Sequence, residues 1–154
     1  MRDQIENAVL ILKQDEGWRG EPYYCSEGYP TIGYGFKIGR KGGPLPKASM
    51  SKEDGASKLS GICQILNLSL TSNKGSTYSN LSEVRKAVVI SMAYQVGFDG
   101  LLKFKKMWAA LEAGDLNAAS KEILNSLAAR QAPARWKRNS SMLETGELLS
   151  YYTK

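Results

Sequence analysis

A chain of 154 residues, 42% hydrophobic and 23% charged, has the composition of one globular domain and excludes disorder. No run approaches the roughly 18 apolar residues needed to cross a bilayer. The net charge of +6 favours anionic partners, but the basic residues are dispersed, with the densest group at Arg130, Arg135, Lys137 and Arg138. Dispersion weighs against nucleic acid.

Residues 3–14 place Ile5, Ala8, Val9 and Leu12 at helical spacing, and Gly17 is a natural residue just past the end of that helix. Residues 18–43 change character. Aromatic and β-branched residues mix with glycine, and Tyr29 to Gly35 reads as short, tightly turned strand. Gly39 to Pro46 is a loop. Ser51 opens the next helix, with Asp54 as a capping-box-like partner and Leu59, Ile62, Cys63, Leu66 and Leu70 on its apolar side. The polar tract Thr71 to Asn80 is expected to be a connector. Ser82 caps an apolar helix, Val84 to Val96, with so little polar surface that it belongs at the centre of the fold. Helical segments over about 101–112, 115–128 and 133–150 complete the chain.

The sequence contains no histidine, which removes Ser-His-Asp and Cys-His mechanisms and most zinc sites. Hydrolytic chemistry must then run on carboxylates, lysine, tyrosine or thiol. Cys25 and Cys63 have neither zinc-ligand nor redox-pair spacing and are read as free thiols. The N-terminal run Ala8 to Leu12 is short and flanked by charges, unlike an export signal, so a cytoplasmic protein is expected.

One carboxylate stands out. Glu16 lies at a helix C-terminus, where the helix dipole disfavours negative charge. The segment after it can fold back to face it across a cleft. Glycosidic cleavage needs an acid to protonate the leaving oxygen, and a second group on the other face of the sugar. Glu16 can supply the first, and the segment facing it, with Cys25 and Thr31 on or near the small sheet, leaves room for the second.

These residues carry a resemblance. Glu16, Cys25 and Thr31 are separated by eight and then five residues. The chain here resembles the phage-type lysozymes, whose pattern has Asp or Cys at the middle position. Glu16-Gly17, Tyr24, Gly28 and Thr31-Ile32-Gly33-Tyr34-Gly35 match around it. Matches continue at Val84-Arg85, Met92 to Gly97, Phe104 and Gln131 to Arg135. They thin over residues 37–80.

The resemblance implies a mainly helical α+β fold, a single lysozyme domain over 1–154. Its N-terminal lobe covers about 14–50 and carries a small antiparallel sheet, with helix 3–16 packing on the other lobe. A connecting helix spans about 51–70, and a helical lobe about 71–154. The implied activity is hydrolysis of the β-1,4 bond between N-acetylmuramic acid and N-acetylglucosamine in peptidoglycan, with inversion and without metal or cofactor. Glu16 would be the general acid and Thr31 would help place the water. Arg135 would pair with Glu16, while Gln95, Gly35 and Phe104 would line or support the sugar site.

Cys25 departs from the commoner aspartate. A thiol holds water less well than a carboxylate, and its role as nucleophile, base or water-positioning group stays open. The implied setting is a monomeric endolysin, held in the host cytoplasm until a holin admits it to the periplasm or wall, and touching the anionic envelope only peripherally. Two other readings are a lysozyme-fold binding module that has lost catalysis and a basic nucleic-acid-binding protein. The second leaves the Glu16 to Gly35 string unexplained.

Overall fold

Asp3 opens the first helix, α1 (Gln4–Glu16), by accepting a hydrogen bond from the Glu6 amide, and the Glu6 carboxylate accepts one in return from the Asp3 amide. This computed structural model describes residues 1–154. The expected cap at Ser51 is one-sided: its hydroxyl accepts from the Asp54 amide at 3.0 Å, and the Asp54 carboxylate gives no bond back. The reciprocal capping box belongs to α1 instead.

The strands β1 (Arg19–Tyr24), β2 (Pro30–Gly33) and β3 (Phe36–Lys37) form a three-stranded antiparallel sheet in the order β1-β2-β3. Tyr23 opposes Thr31, and Thr31 opposes Lys37, so these three form a row across the sheet. A register irregularity lies between Arg19 and Tyr23. Such bulges twist a strand and re-aim its side chains.

The remainder is helical: α2 (Lys52–Lys74), α3 (Ser76–Ser79), α4 (Glu83–Val96), α5 (Phe98–Leu102), α6 (Lys105–Glu112), α7 (Leu116–Ile123), α8 (Leu127–Gln131), α9 (Pro133–Thr145) and a final 3₁₀ turn, Ser150–Tyr152. No helix is long and apolar enough to cross a membrane. As its composition implies, α4 is central, with Ala87 through Ala93 all buried. It packs against α1, α2, α5 and α9.

Several boundaries differ from the expectation. On α1 the buried residues are Asn7, Ala8, Ile11 and Leu12, with Ile5 and Val9 only partly buried. That helix touches α2, α4 and the 3₁₀ turn, so its covered stripe is wider than one face. The second helix ends at Lys74, not near residue 70, and the polar tract after it contains α3. Polar residues there mark a solvated face. The tract is pinned by the fully buried Tyr78, whose hydroxyl donates to the Asn67 side chain at 2.6 Å. The segment 101–112 divides into α5 and α6, and 115–128 into α7 and α8. The last long helix stops at Thr145, where Gly146 takes the left-handed conformation.

Candidate active site

Glu16 is the last residue of α1, and Gly17 (φ 70°) turns the chain away into the sheet. The sheet folds back so that the β2–β3 turn meets the Glu16 side chain. A Cβ on Gly35 would sit 3.3 Å from Glu16 Oε1, and its φ of +77° already disfavours other residues. Gly35 is therefore glycine for two independent reasons. The turn is tied down from below by the Tyr94 hydroxyl, which donates to the Tyr34 carbonyl at 2.6 Å. Burial, reinforced by the negative charge of Glu16, pushes the Tyr94 hydroxyl well above its ordinary pKa, so it stays a donor.

From the helical side, Arg135 of α9 donates from Nη1 to Glu16 Oε2 at 3.0 Å. Its Nε lies 3.4 Å from Asp15 Oδ2. The Asp15 side chain is fully buried, 0% exposed, and is gripped by Arg138 Nη2 and by the Tyr152 hydroxyl, each at 3.0 Å. A buried carboxylate is tolerated only with such partners. Asp15, Arg138 and Tyr152 were absent from the sequence-based site. The signal available was the acid next to Glu16, but its partners lie more than 120 positions away.

Cys25 follows β1 in a turn closed by its amide donating to the Tyr29 carbonyl at 3.0 Å and by the Gly28 amide donating to its own carbonyl at 2.9 Å. The thiol is half-buried. It is held below the ordinary thiol pKa, chiefly by a backbone hydrogen bond from Tyr29, with the Glu27 backbone and the Thr31 side chain adding to this against some desolvation and the negative charge of Glu27. The Thr31 hydroxyl has one proton, and at 2.7 Å it gives that proton to the Tyr29 carbonyl. In this state the Thr31 oxygen is free to accept. It can support a Cys25 thiolate only by turning away from Tyr29.

A cavity of about 300 Å³ is lined by Glu16, Cys25, Thr31, Gly35, Gln95 and Arg135, together with Tyr23 and Lys37 of the same sheet row. It shares Glu16, Gly35, Lys37 and Gln95 with a second space of about 590 Å³, walled by α2 and α4, so the two are stretches of one groove. The Gln95 side-chain oxygen is buried there without a partner, as is Arg135 Nη2. Tyr23 and Lys37 were missed by sequence reasoning. Only strand register shows that they flank Thr31.

Phe104 is not brought to this groove. It borders a separate cavity of about 490 Å³ beside Lys103 and Met107, and stacks on Trp136 with ring centres 5.8 Å apart. That stack links it to α9, which carries both Trp136 and Arg135. Cys63 is fully buried in the core, as its apolar stripe indicates.

An acid at a helix end, a small antiparallel sheet folded over it and a helical remainder define a glycosidase of the lysozyme type. The chain belongs to the phage lysozyme family, whose model matches residues 13–138. It is 32% identical to "Probable T4-type lysozyme 1" of Dictyostelium discoideum, covering 92% of this chain and 95% of that protein. "Probable T4-type lysozyme 2" of the same organism is 30% identical with the same coverage. The "Pre-baseplate central spike protein Gp5" of Enterobacteria phage T4 is 29% identical over 92% of this chain, but only 28% of that larger protein is matched. The chain is thus a lysozyme, a glycoside hydrolase of peptidoglycan.

Proposed function

We propose that this lysozyme serves as an endolysin, cleaving the β-1,4 bond between N-acetylmuramic acid and N-acetylglucosamine to lyse a bacterial host. The observation that carries the mechanism is the convergence of Glu16, Cys25, Thr31 and Arg135 on one cavity. Arg135 orients the Glu16 carboxyl, which gives its proton to the leaving sugar oxygen as the bond to the anomeric carbon breaks. Cys25 and Thr31 hold a water whose oxygen bonds to that carbon from the opposite face. The water's proton passes to the Cys25 thiolate. The turnover leaves Glu16 ionised and Cys25 protonated, and solvent resets both. The configuration inverts because a water, not the protein, attacks.

Gln95 offers its unpartnered oxygen to an N–H or O–H of the sugar, and Gly35 keeps the backbone close enough to Glu16 for a ring to enter. The domain is a monomer of two lobes, about 14–50 and 71–154, joined by the helix between them. It is held in the host cytoplasm until a holin lesion admits it to the periplasm and wall.

A turbidity assay on outer-membrane-permeabilised Gram-negative cells tests this, comparing the chain with Glu16→Gln. General acid catalysis contributes about 10²–10⁴-fold, so the variant should fold and fail to lyse. Lysis by Glu16→Gln at the original rate would sink the mechanism. Expression inside intact cells should lyse them only when a holin is co-expressed, and lysis without one would remove the endolysin role alone.

A further inference from the structure

Residues 18–50 carry the sheet together with Cys25 and Thr31, whereas Glu16 belongs to the helix before them. A single polar contact joins that segment to residues 75–154: the hydrogen bond donated by the Tyr94 hydroxyl of α4 to the Tyr34 carbonyl. No other hydrogen bond and no ion pair crosses between the two. The remaining attachment is packing, through Ile32, Tyr34 and Phe36 in the core. Packing has no preferred direction, whereas a hydrogen bond fixes both a distance and an angle.

That bond ends where position matters most. Tyr34 precedes Gly35, whose approach to Glu16 leaves only 3.3 Å for an added Cβ. No backbone amide donates to the Tyr34 carbonyl, so the phenol is its one partner. From the other side the Tyr34 ring packs on Trp18, with ring centres 4.8 Å apart. Helices α1 and α4 pack directly on each other, so anchoring the β2–β3 turn to α4 also anchors it to Glu16. Attack by water requires the acid and the groups that hold the water to keep a set separation across the sugar. Resting on the mechanism proposed above, we propose that Tyr94 is a positioning residue, whose hydroxyl sets the spacing between Glu16 and the sheet that holds the attacking water. It acts through the Tyr34 carbonyl and needs no contact with the sugar.

The experiment measures kcat and KM separately on soluble peptidoglycan strands, across pH, for the wild type, Tyr94→Phe and Tyr24→Phe, with rates normalised to folded protein. Tyr94→Phe keeps the ring and removes only the bond. Tyr24→Phe is the control: its hydroxyl donates to the Gly43 carbonyl at 2.8 Å, within the same segment but outside the groove. In Tyr94→Phe kcat should fall about tenfold while KM changes by less than about twofold, because spacing at the reacting centre is lost and strand contacts are not. The limbs of the pH profile should stay in place, since burial and the charge of Glu16 keep the Tyr94 phenol neutral and its removal changes no charge. Tyr24→Phe should keep the wild-type kcat. A wild-type kcat in Tyr94→Phe, an equal fall in Tyr24→Phe, or a change confined to KM would each overturn the proposal. So would a displaced limb, which would make Tyr94 a modulator of ionisation at Glu16 or Cys25. A wild type inactive on these strands would instead overturn the glycosidase reading itself.

Discussion

Arg135 and Glu16 lie 119 positions apart in the chain, yet their guanidinium and carboxylate meet at 3.0 Å. The same guanidinium faces the buried carboxylate of Asp15, the neighbour of Glu16 on α1. Arg135 is therefore held by one acid and holds the other. Arg138 and Tyr152 close the arrangement from α9 and the C-terminal 3₁₀ turn. The orientation of the Glu16 carboxylate depends on contacts that reach to the 3₁₀ turn at Ser150–Tyr152.

Asp15→Asn should be costly and informative. Removing one charge from a buried network leaves Arg138 without a carboxylate partner and Arg135 with Glu16 alone, a loss of about 3 kcal/mol by urea unfolding. The low end of the usual range applies because Arg138 keeps 22% side-chain exposure. In the folded variant kcat should fall more than KM changes, since the loosened Arg135 affects the orientation of Glu16 more than the binding of the strand. A variant with a lower midpoint but unchanged kcat would show that Asp15 is structural only.

Cys25 should govern the acid side of the pH profile. Its pKa is lowered by the Tyr29 backbone hydrogen bond, so the thiolate persists to lower pH than for an ordinary thiol, and kcat/KM should fall as pH drops through that value. Cys25→Asp should remain active and carry the limb further down, towards the carboxylate range of about 4. A bulky maleimide should block the wild type and spare Cys25→Asp. Cys25→Ala should be much weaker than either. Equal lysis by Cys25→Ala would reduce the site to Glu16 and Thr31.

Cys63 should matter for stability and not for lysis. Burial pushes its thiol up to about 12, against about 8.5 in an unfolded chain. With the folded value raised, its contribution is complete below about 8.5 and is lost as pH rises towards 12. Cys63→Ala should lyse normally and cost about 1 kcal/mol of packing. The urea midpoint of the variant should also decline less steeply above pH 9, and an identical slope in both proteins would contradict this account.

Whole-cell lysis should slow as salt is raised. A net charge of +6 speeds encounter with an anionic envelope, and at 0.15 M the screening length is only about 8 Å. Turbidity rates measured from low ionic strength to a few hundred millimolar report it. A flat response would remove steering from the account.

The placement of α4 at the centre was legible because a helix with Ala87, Val88, Ile90 and Ala93 around its circumference has no face to give to solvent. The helix end at Gly17 and the turned strands after it were legible for similar local reasons. Boundaries inside polar tracts were not. Tyr78 holds α3 in place through Asn67, a contact between side chains that periodicity along one segment does not display. Phe104 shows how far packing can act on a residue that a pattern singles out. The resemblance implies that it lines or supports the sugar site, and packing sets its ring on Trp136.

By itself, then, the sequence carried the resemblance to the phage-type lysozymes that implies the reaction class, and it singled out Glu16 as the candidate acid. A chain without histidine left carboxylate, lysine, tyrosine or thiol chemistry open, an acid set against a helix dipole drew attention to Glu16, and the spacing to Cys25 and Thr31 implied glycosidic cleavage only through that resemblance. Tertiary structure alone decided what surrounds that acid. Strand register put Tyr23 and Lys37 beside Thr31, and the return of α9 put Arg135 on Glu16 and Arg138 on Asp15. Such partners are chosen by long-range packing of the core. A residue's own neighbours in sequence carry almost no information about which distant charge will lie 3 Å away.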